Sequence, residues 1–148
     1  MEHWELDARE QIRDLVARYN ANGDTGRFEQ VMELFAPDAV MELAGQGDKI
    51  YRGIEQIRTI FTGAMQSGSA GKTAPVYLRH FTGTLQIDIV DASHAKGRCY
   101  YFVLTAVGLD HWGRYVDEYK VVDGRWRFAS RRVSTDGRVD GGWGDRQL

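Results

Sequence analysis

The stretch RYNANGD puts Tyr19 at the end of a helical pattern and Asp24 five positions later, past an Asn-Gly break. A phenol and a carboxylate flanking a helix end can serve as acid-base machinery if both enter one cavity. Otherwise the tyrosine is an aromatic of the core and the aspartate caps the next helix. The stretch YLRHFTGT adds His80, an imidazole able to change charge near neutral pH. RWRFASRRV adds the adjacent pair Arg131 and Arg132.

Other features carry less. GSAGKT resembles a phosphate-binding loop, but the pattern needs glycine where Gln66 stands and a helix where Pro75 and a strand pattern follow. The histidines at 3, 80, 94 and 111 show no HxH or HExxH spacing, so no metal site is read from them. Nineteen basic and 21 acidic residues leave a formal charge of -2, which gives no field for nucleic acid or an anionic membrane surface. A single Cys99 cannot form an internal disulfide, no signal-peptide pattern opens the chain, and a cytoplasmic setting is the expectation.

The 148 residues, 43% hydrophobic and 27% charged, suit one globular domain. Residues 1–136 are read as that domain and 137–148, with DGGWGD, as a Gly-rich tail that is a mobile flap or loose end. Ile12, Leu15, Val16 and Tyr19 recur at helical spacing after Asp7, a candidate N-cap. Asp24 or Thr25 is the candidate cap of a second helix bearing Phe28, Val31, Met32 and Phe35, stopped by Pro37. AVMEL and KIYRG read as short strands, followed by a third helix with Ile54, Ile57, Ile60, Phe61 and Met65 on one side. Four longer strand-like runs complete the chain, the last two joined at Asp123-Gly124, a two-residue hairpin signal. The pattern predicts an α+β domain, with about three helices on one face of a cone-shaped, curved antiparallel sheet that encloses a pocket.

Strict alternation has consequences for the candidates. It puts His80 on the face of Thr82, Thr84 and Gln86, away from Phe81, Leu85 and Ile87, unless Gly83 marks a bulge. In the last hairpin an unbroken ladder sets Asp117 beside Ser130 and Tyr115 beside Arg132, sending Arg132 inward and Arg131 outward.

Tyr19-x4-Asp24, LFAPDAV, YRG before a helix, His80 on the third strand, and YVDEY…DGRWRFASRRVSTD together resemble the SnoaL-like branch of the nuclear-transport-factor-2-like (NTF2-like, cystatin-like) superfamily. That branch resembles scytalone dehydratase, bile acid 7-alpha-dehydratase and hexachlorocyclohexane dehydrochlorinase. The resemblance implies an Asp-His dyad in a hydrophobic cone, here Asp24 and His80, with Arg131 contributed by the last strand. Inward placement of Arg131 then requires a bulge between Trp126 and Arg131.

In the roles so implied, Asp24 fixes the His80 tautomer, His80 removes a proton, Tyr19 donates to an oxygen and Arg131 stabilises developing negative charge. Tyr115, Phe61 and Met65 are candidates for the pocket wall. The function implied is a lyase-type, dehydratase-like elimination on a small hydrophobic cyclic, steroid-like or polyketide-like compound, without a cofactor. A polyketide cyclase or isomerase, and a non-catalytic binding domain, are the alternatives. Relatives of this kind suggest a homo-oligomer, dimer or trimer, formed through the outer sheet face.

Overall fold

The computed structural model describes residues 1–45, 47, 49–69 and 77–144, with side chains described only outside 64–69. The GSAGKT segment from Ala70 on, and the Met65 side chain, lie outside the described residues. Among the described residues three helices, α1 (His3–Gly23), α2 (Phe28–Met32) and α3 (Gly53–Ser69), accompany six strands. These are β1 (Phe35–Ala44), β2 (Lys49–Arg52), β3 (Arg79–Asp91), β4 (His94–Thr105), β5 (Gly108–Val122) and β6 (Arg125–Arg138). The helices pack on one face of a curved α+β sheet of order β2-β1-β6-β5-β4-β3. All neighbours are antiparallel except β1 and β6, which run parallel, so the sheet is mixed where an antiparallel one was expected.

The periodic residues Ile12, Leu15, Val16 and Tyr19 of α1 are buried, together with Ala8 and Asn20. Asp7 is not its cap, because the helix begins four residues earlier and Asp7 accepts a hydrogen bond from Gln11 inside it. Ile12, Val31, Ile57, Val103 and Phe128 are fully buried between helices and sheet. Removing a side chain of this size from water contributes about 1.5–3 kcal/mol. The second helix is only five residues long, and the chain is already extended at Phe35, so Pro37 lies within β1 rather than stopping a helix.

Asp123 and Gly124 have φ of 50° and 77°, the left-handed pair that a two-residue hairpin turn of matching twist requires. From this turn the ladder is regular as far as Tyr119 and Phe128, then shifts. Further shifts occur between Gly83 and Gln86 on β3 and between Val103 and Leu104 opposite β5. Each places an extra residue in one strand and reverses which side chains face inward beyond it.

Candidate active site

Asp24 is the C-cap of α1, not the N-cap of α2, and its carboxylate is committed elsewhere. Oδ1 lies 2.6 Å from His80 Nδ1, and Oδ2 accepts the His80 backbone N–H at 2.7 Å. With both oxygens engaged by one residue 56 positions away, neither ring nor carboxylate is free to rotate. The Asp24 side chain is 7% exposed and that of His80 21%, so the carboxylate is shielded while the imidazole stays reachable. Among the described residues, His80 Nε2 has no protein partner.

Alternation alone would have turned His80 outward. The extra residue lies at Thr84 and Leu85, where Thr84 adopts φ of 57°, uncommon for a β-branched residue. Before the bulge His80 pairs with the buried Val103; after it Ile87 pairs with Gly97 on that same inner face. The bulge thus reconciles a polar inward position at the open end of β3 with an apolar one at the closed end.

A second bulge decides the arginine. Glu118 pairs with Ser130 but Tyr119 with Phe128, leaving Ala129 as the extra residue. Asp117 consequently faces Arg131 rather than Ser130, and Arg131 points inward. Its Nε and Nη2 donate to the two Asp117 oxygens at 2.8 Å, and both side chains are fully buried. The guanidinium lies 3.9 Å from the Tyr115 ring centroid, 4.3 Å from that of Tyr19 and 4.4 Å from that of Phe128. Burial opposes its charge, but the Asp117 carboxylate outweighs burial and raises its pKa above the ordinary arginine value. Arg132 is the outward neighbour, 3.9 Å from Glu42.

The remaining candidates join this buried layer rather than a free wall. Tyr19 is packed edge-on against Phe35, Phe61, Tyr115 and Phe128, with its hydroxyl 3.9 Å from Met41 Sδ. Burial, partly offset by Arg131, pushes its pKa to about 12, so it is a neutral donor at any ordinary pH. Tyr115 is 2% exposed, stacked on Tyr101 at 4.6 Å, and its hydroxyl donates to Asn20. Phe61 is partly buried between Tyr19 and Phe28. A stack of rings therefore runs from Arg131 through Tyr115 to Tyr101, whose ring centroid is 6.1 Å from that of His80.

One pair escaped the sequence reading. Asp110 and His111 are consecutive on β5 yet both buried, because Asp110 is the extra residue of the third bulge. His111 Nδ1 is 2.7 Å from Asp110 Oδ2, and its ring centroid is 6.3 Å from that of His80. The supposed loose tail docks here: Trp143 and Gly144 donate backbone N–H groups to Asp110 at 2.7 Å. β6 also continues to Arg138, two residues into the segment read as tail. A signal was available in the Asp-His dipeptide and the GGWG stretch, but alternation assigns neighbours to opposite faces.

A cavity of about 310 Å³ opens on the opposite, outer face of the sheet, lined by Phe81, Tyr100, Phe102 and Trp112 among others. Phe81 and Phe102 stack there at 5.1 Å. Its lining also includes Tyr101, whose ring centroid lies 6.1 Å from that of His80.

A SnoaL-like domain model matches residues 4–132 of this chain. The chain belongs to the SnoaL-like domain family. Solved structures with cystatin-like and NTF2-like folds share the architecture of this SnoaL-like chain. A protein of unknown function from Mycobacterium tuberculosis is similar at 26% identity and a TM-score of 0.76, covering 97% of this chain and 78% of that one. A scytalone dehydratase-like protein from Novosphingobium aromaticivorans is similar at 20% identity and a TM-score of 0.77, covering 95% and 91%. A type 2 hexachlorocyclohexane dehydrochlorinase, LinA, matches at 19% and 0.76, covering 93% of each chain. No curated protein is significantly similar in sequence. Among the described residues of this SnoaL-like chain, no helix is long and apolar enough to cross a membrane.

Proposed function

We propose that the chain is a cofactor-independent lyase of dehydratase type, acting on a small hydrophobic cyclic compound of the steroid or polyketide kind. The observation that carries this reading is the double engagement of Asp24 with His80, through Nδ1 at 2.6 Å and the backbone N–H at 2.7 Å. A carboxylate so placed holds Nδ1 as the protonated nitrogen and stabilises the imidazolium that forms when Nε2 takes a proton. The acidic C–H beside a carbonyl is a suitable donor, and loss of a β-oxygen completes the elimination.

Arg131 has a different part in this reading from the one the resemblance implied. Sealed beneath Tyr19 and Tyr115, with its charge matched by Asp117, it holds the aromatic floor in place. Tyr19 and Tyr115 are supports of the site, and Phe61 shores up Tyr19.

The homo-oligomer and the cytoplasmic setting belong to the same proposal. Exposed Phe81, Tyr100, Phe102 and Val116 on the outer face support self-association, and the single unpaired thiol supports a reducing compartment.

The experiment is a panel of hydrophobic cyclic β-hydroxy ketones followed by the ultraviolet absorbance of the enone product. Product formation that disappears in His80→Ala is the expected result. Rearranged product of unchanged mass favours the isomerase or cyclase. Tight binding without turnover by wild type favours the binding domain.

A further inference from the structure

We propose that Asp110 and His111 form a second proton-handling pair of the same site, acting on the substrate's oxygen while His80 acts on its carbon-bound proton. The inference rests on the acid-base reading above.

Three adjacent strands align the groups: His80 on β3 pairs with Val103 on β4, which pairs with His111 on β5. Val103 is small and fully buried, so the two imidazoles lean together over it, edge to face at 87° with centroids 6.3 Å apart. Tyr101 packs against both, at 6.1 and 6.0 Å. The two units are built alike, since each histidine commits Nδ1 to a carboxylate, at 2.6 Å for Asp24 and 2.7 Å for Asp110. Among the described residues neither Nε2 has a protein partner, so neither nitrogen is committed within the fold.

The C-terminal segment holds the second pair in place. Asp110 Oδ1 accepts the Trp143 N–H, and Oδ2 accepts the Gly144 N–H as well as His111. Burial works against the Asp110 charge, but these three donors more than offset it and keep its pKa below the ordinary carboxylate value. The Trp143 indole stacks on the His111 ring at 5.8 Å. Glycine is required for the approach: a Cβ on Gly142 would lie 2.4 Å from Asp110 Oδ1, and one on Gly144 2.9 Å from His111 Nδ1. Asp110 and Gly144 are positioning residues.

The step balances. His80 Nε2 takes the α-proton, the C–H pair becomes the new C=C bond, and the Cβ–O pair leaves with the oxygen. Protonated His111 gives its Nε2 proton to that oxygen, releasing water. One proton resides on the histidine pair before and after, and it returns from His80 to His111 through the released water. Burial first, and the nearby His80 charge as well, lower the His111 pKa against the opposing pull of Asp110, which makes its imidazolium a ready donor. The titratable groups around it are Asp110 on β5, His80 on β3 and Tyr101 on β4.

The test compares two cyclic ketones that differ only in the β-substituent, hydroxide or 4-nitrophenoxide, because only hydroxide must be protonated to leave. Loss of a positioned acid is expected to slow the β-hydroxy compound about 10²- to 10⁴-fold in His111→Gln. The nitrophenoxy compound should keep its rate within a few-fold. Asp110→Asn and Gly144→Ala should show the same split in milder form, whereas His80→Gln slows both compounds. Equal losses on both compounds in His111→Gln overturn the proposal. Where no compound turns over, the lyase reading fails by itself, and histidine ring NMR of the ligand-free protein decides the pair. His111 should titrate at higher pH in His80→Gln than in wild type, and an unmoved midpoint overturns the shared site.

Discussion

Arg131 and Asp117 form a fully buried, two-bonded ion pair across β5 and β6, with both donor–acceptor distances 2.8 Å. The guanidinium is roofed by Tyr19 and Tyr115, so this cation supports the site from beneath. Removing one partner leaves the other charge buried and unpaired. Asp117→Ala is expected to cost about 3–5 kcal/mol in urea unfolding, and Arg131→Met a similar amount. The double change Asp117→Leu with Arg131→Met should recover most of that loss, because no orphaned charge remains. A double mutant as unstable as the sum of the singles would contradict this.

His80→Ala is expected to lower turnover about 10²- to 10⁴-fold, the usual effect of losing a positioned base. Asp24→Asn keeps the shape but removes the charge that stabilises the imidazolium, and should fall in the same direction. Tyr19→Phe leaves the ring among Phe35, Phe61 and Phe128, so its effect should be smaller than either. Rates and ligand affinities measured together separate lost chemistry from lost binding.

Stability should fall on mild acidification. The folded pKa of His111 is depressed below its ordinary 6.5, chiefly by burial, so the unfolded chain binds the proton first. Its contribution is therefore present above pH 6.5 and is lost as pH falls through the folded value. Asp110, also depressed, adds a loss below its ordinary 3.8. Urea midpoints measured across this range should drop on the acid side, and His111→Gln should flatten the upper part of the curve.

Cys99 is 3% exposed, and burial raises its thiol to a pKa of about 11. A buried neutral thiol reacts poorly with disulfide reagents. Native protein at neutral pH should show almost no fast-reacting thiol, with one appearing on unfolding in urea. Rapid labelling of the native protein would show that this face opens.

Phe81 and Phe102 stack on the outer face, each more than 40% exposed. If that face joins copies of the chain, Phe102→Glu should convert a dimer or trimer into monomer in sedimentation analysis. Wild type already monomeric at micromolar concentration would refute the interface.

Local chemistry was enough to place most of the elements and several of their faces, though not the end of α2, beyond which Phe35 and Pro37 already lie in β1. The stripe from Ile12 to Tyr19 wrote α1, and Asp123-Gly124 wrote the last hairpin, since helix period and left-handed turn geometry depend on residues within a few positions. Family likeness in the sequence also pointed to Asp24, His80 and Arg131, which the structure turns inward. Inward and outward, however, were decided by bulges at Thr84–Leu85, Asp110 and Ala129. Each is a mismatch between two strands: Gly83 hinted at the first, but the position of each extra residue depends on the partner strand. Alternation from the hairpin therefore holds to Phe128 and fails at Arg131. Asp24 read equally well as a helix cap, because its partner lies 56 residues away. Asp110 and His111, neighbours in the chain, share a face only because the ladder skips one of them. The tail anchors there because glycine lets backbone N–H groups reach a buried carboxylate, a contact that exists only once the sheet has curved to meet it.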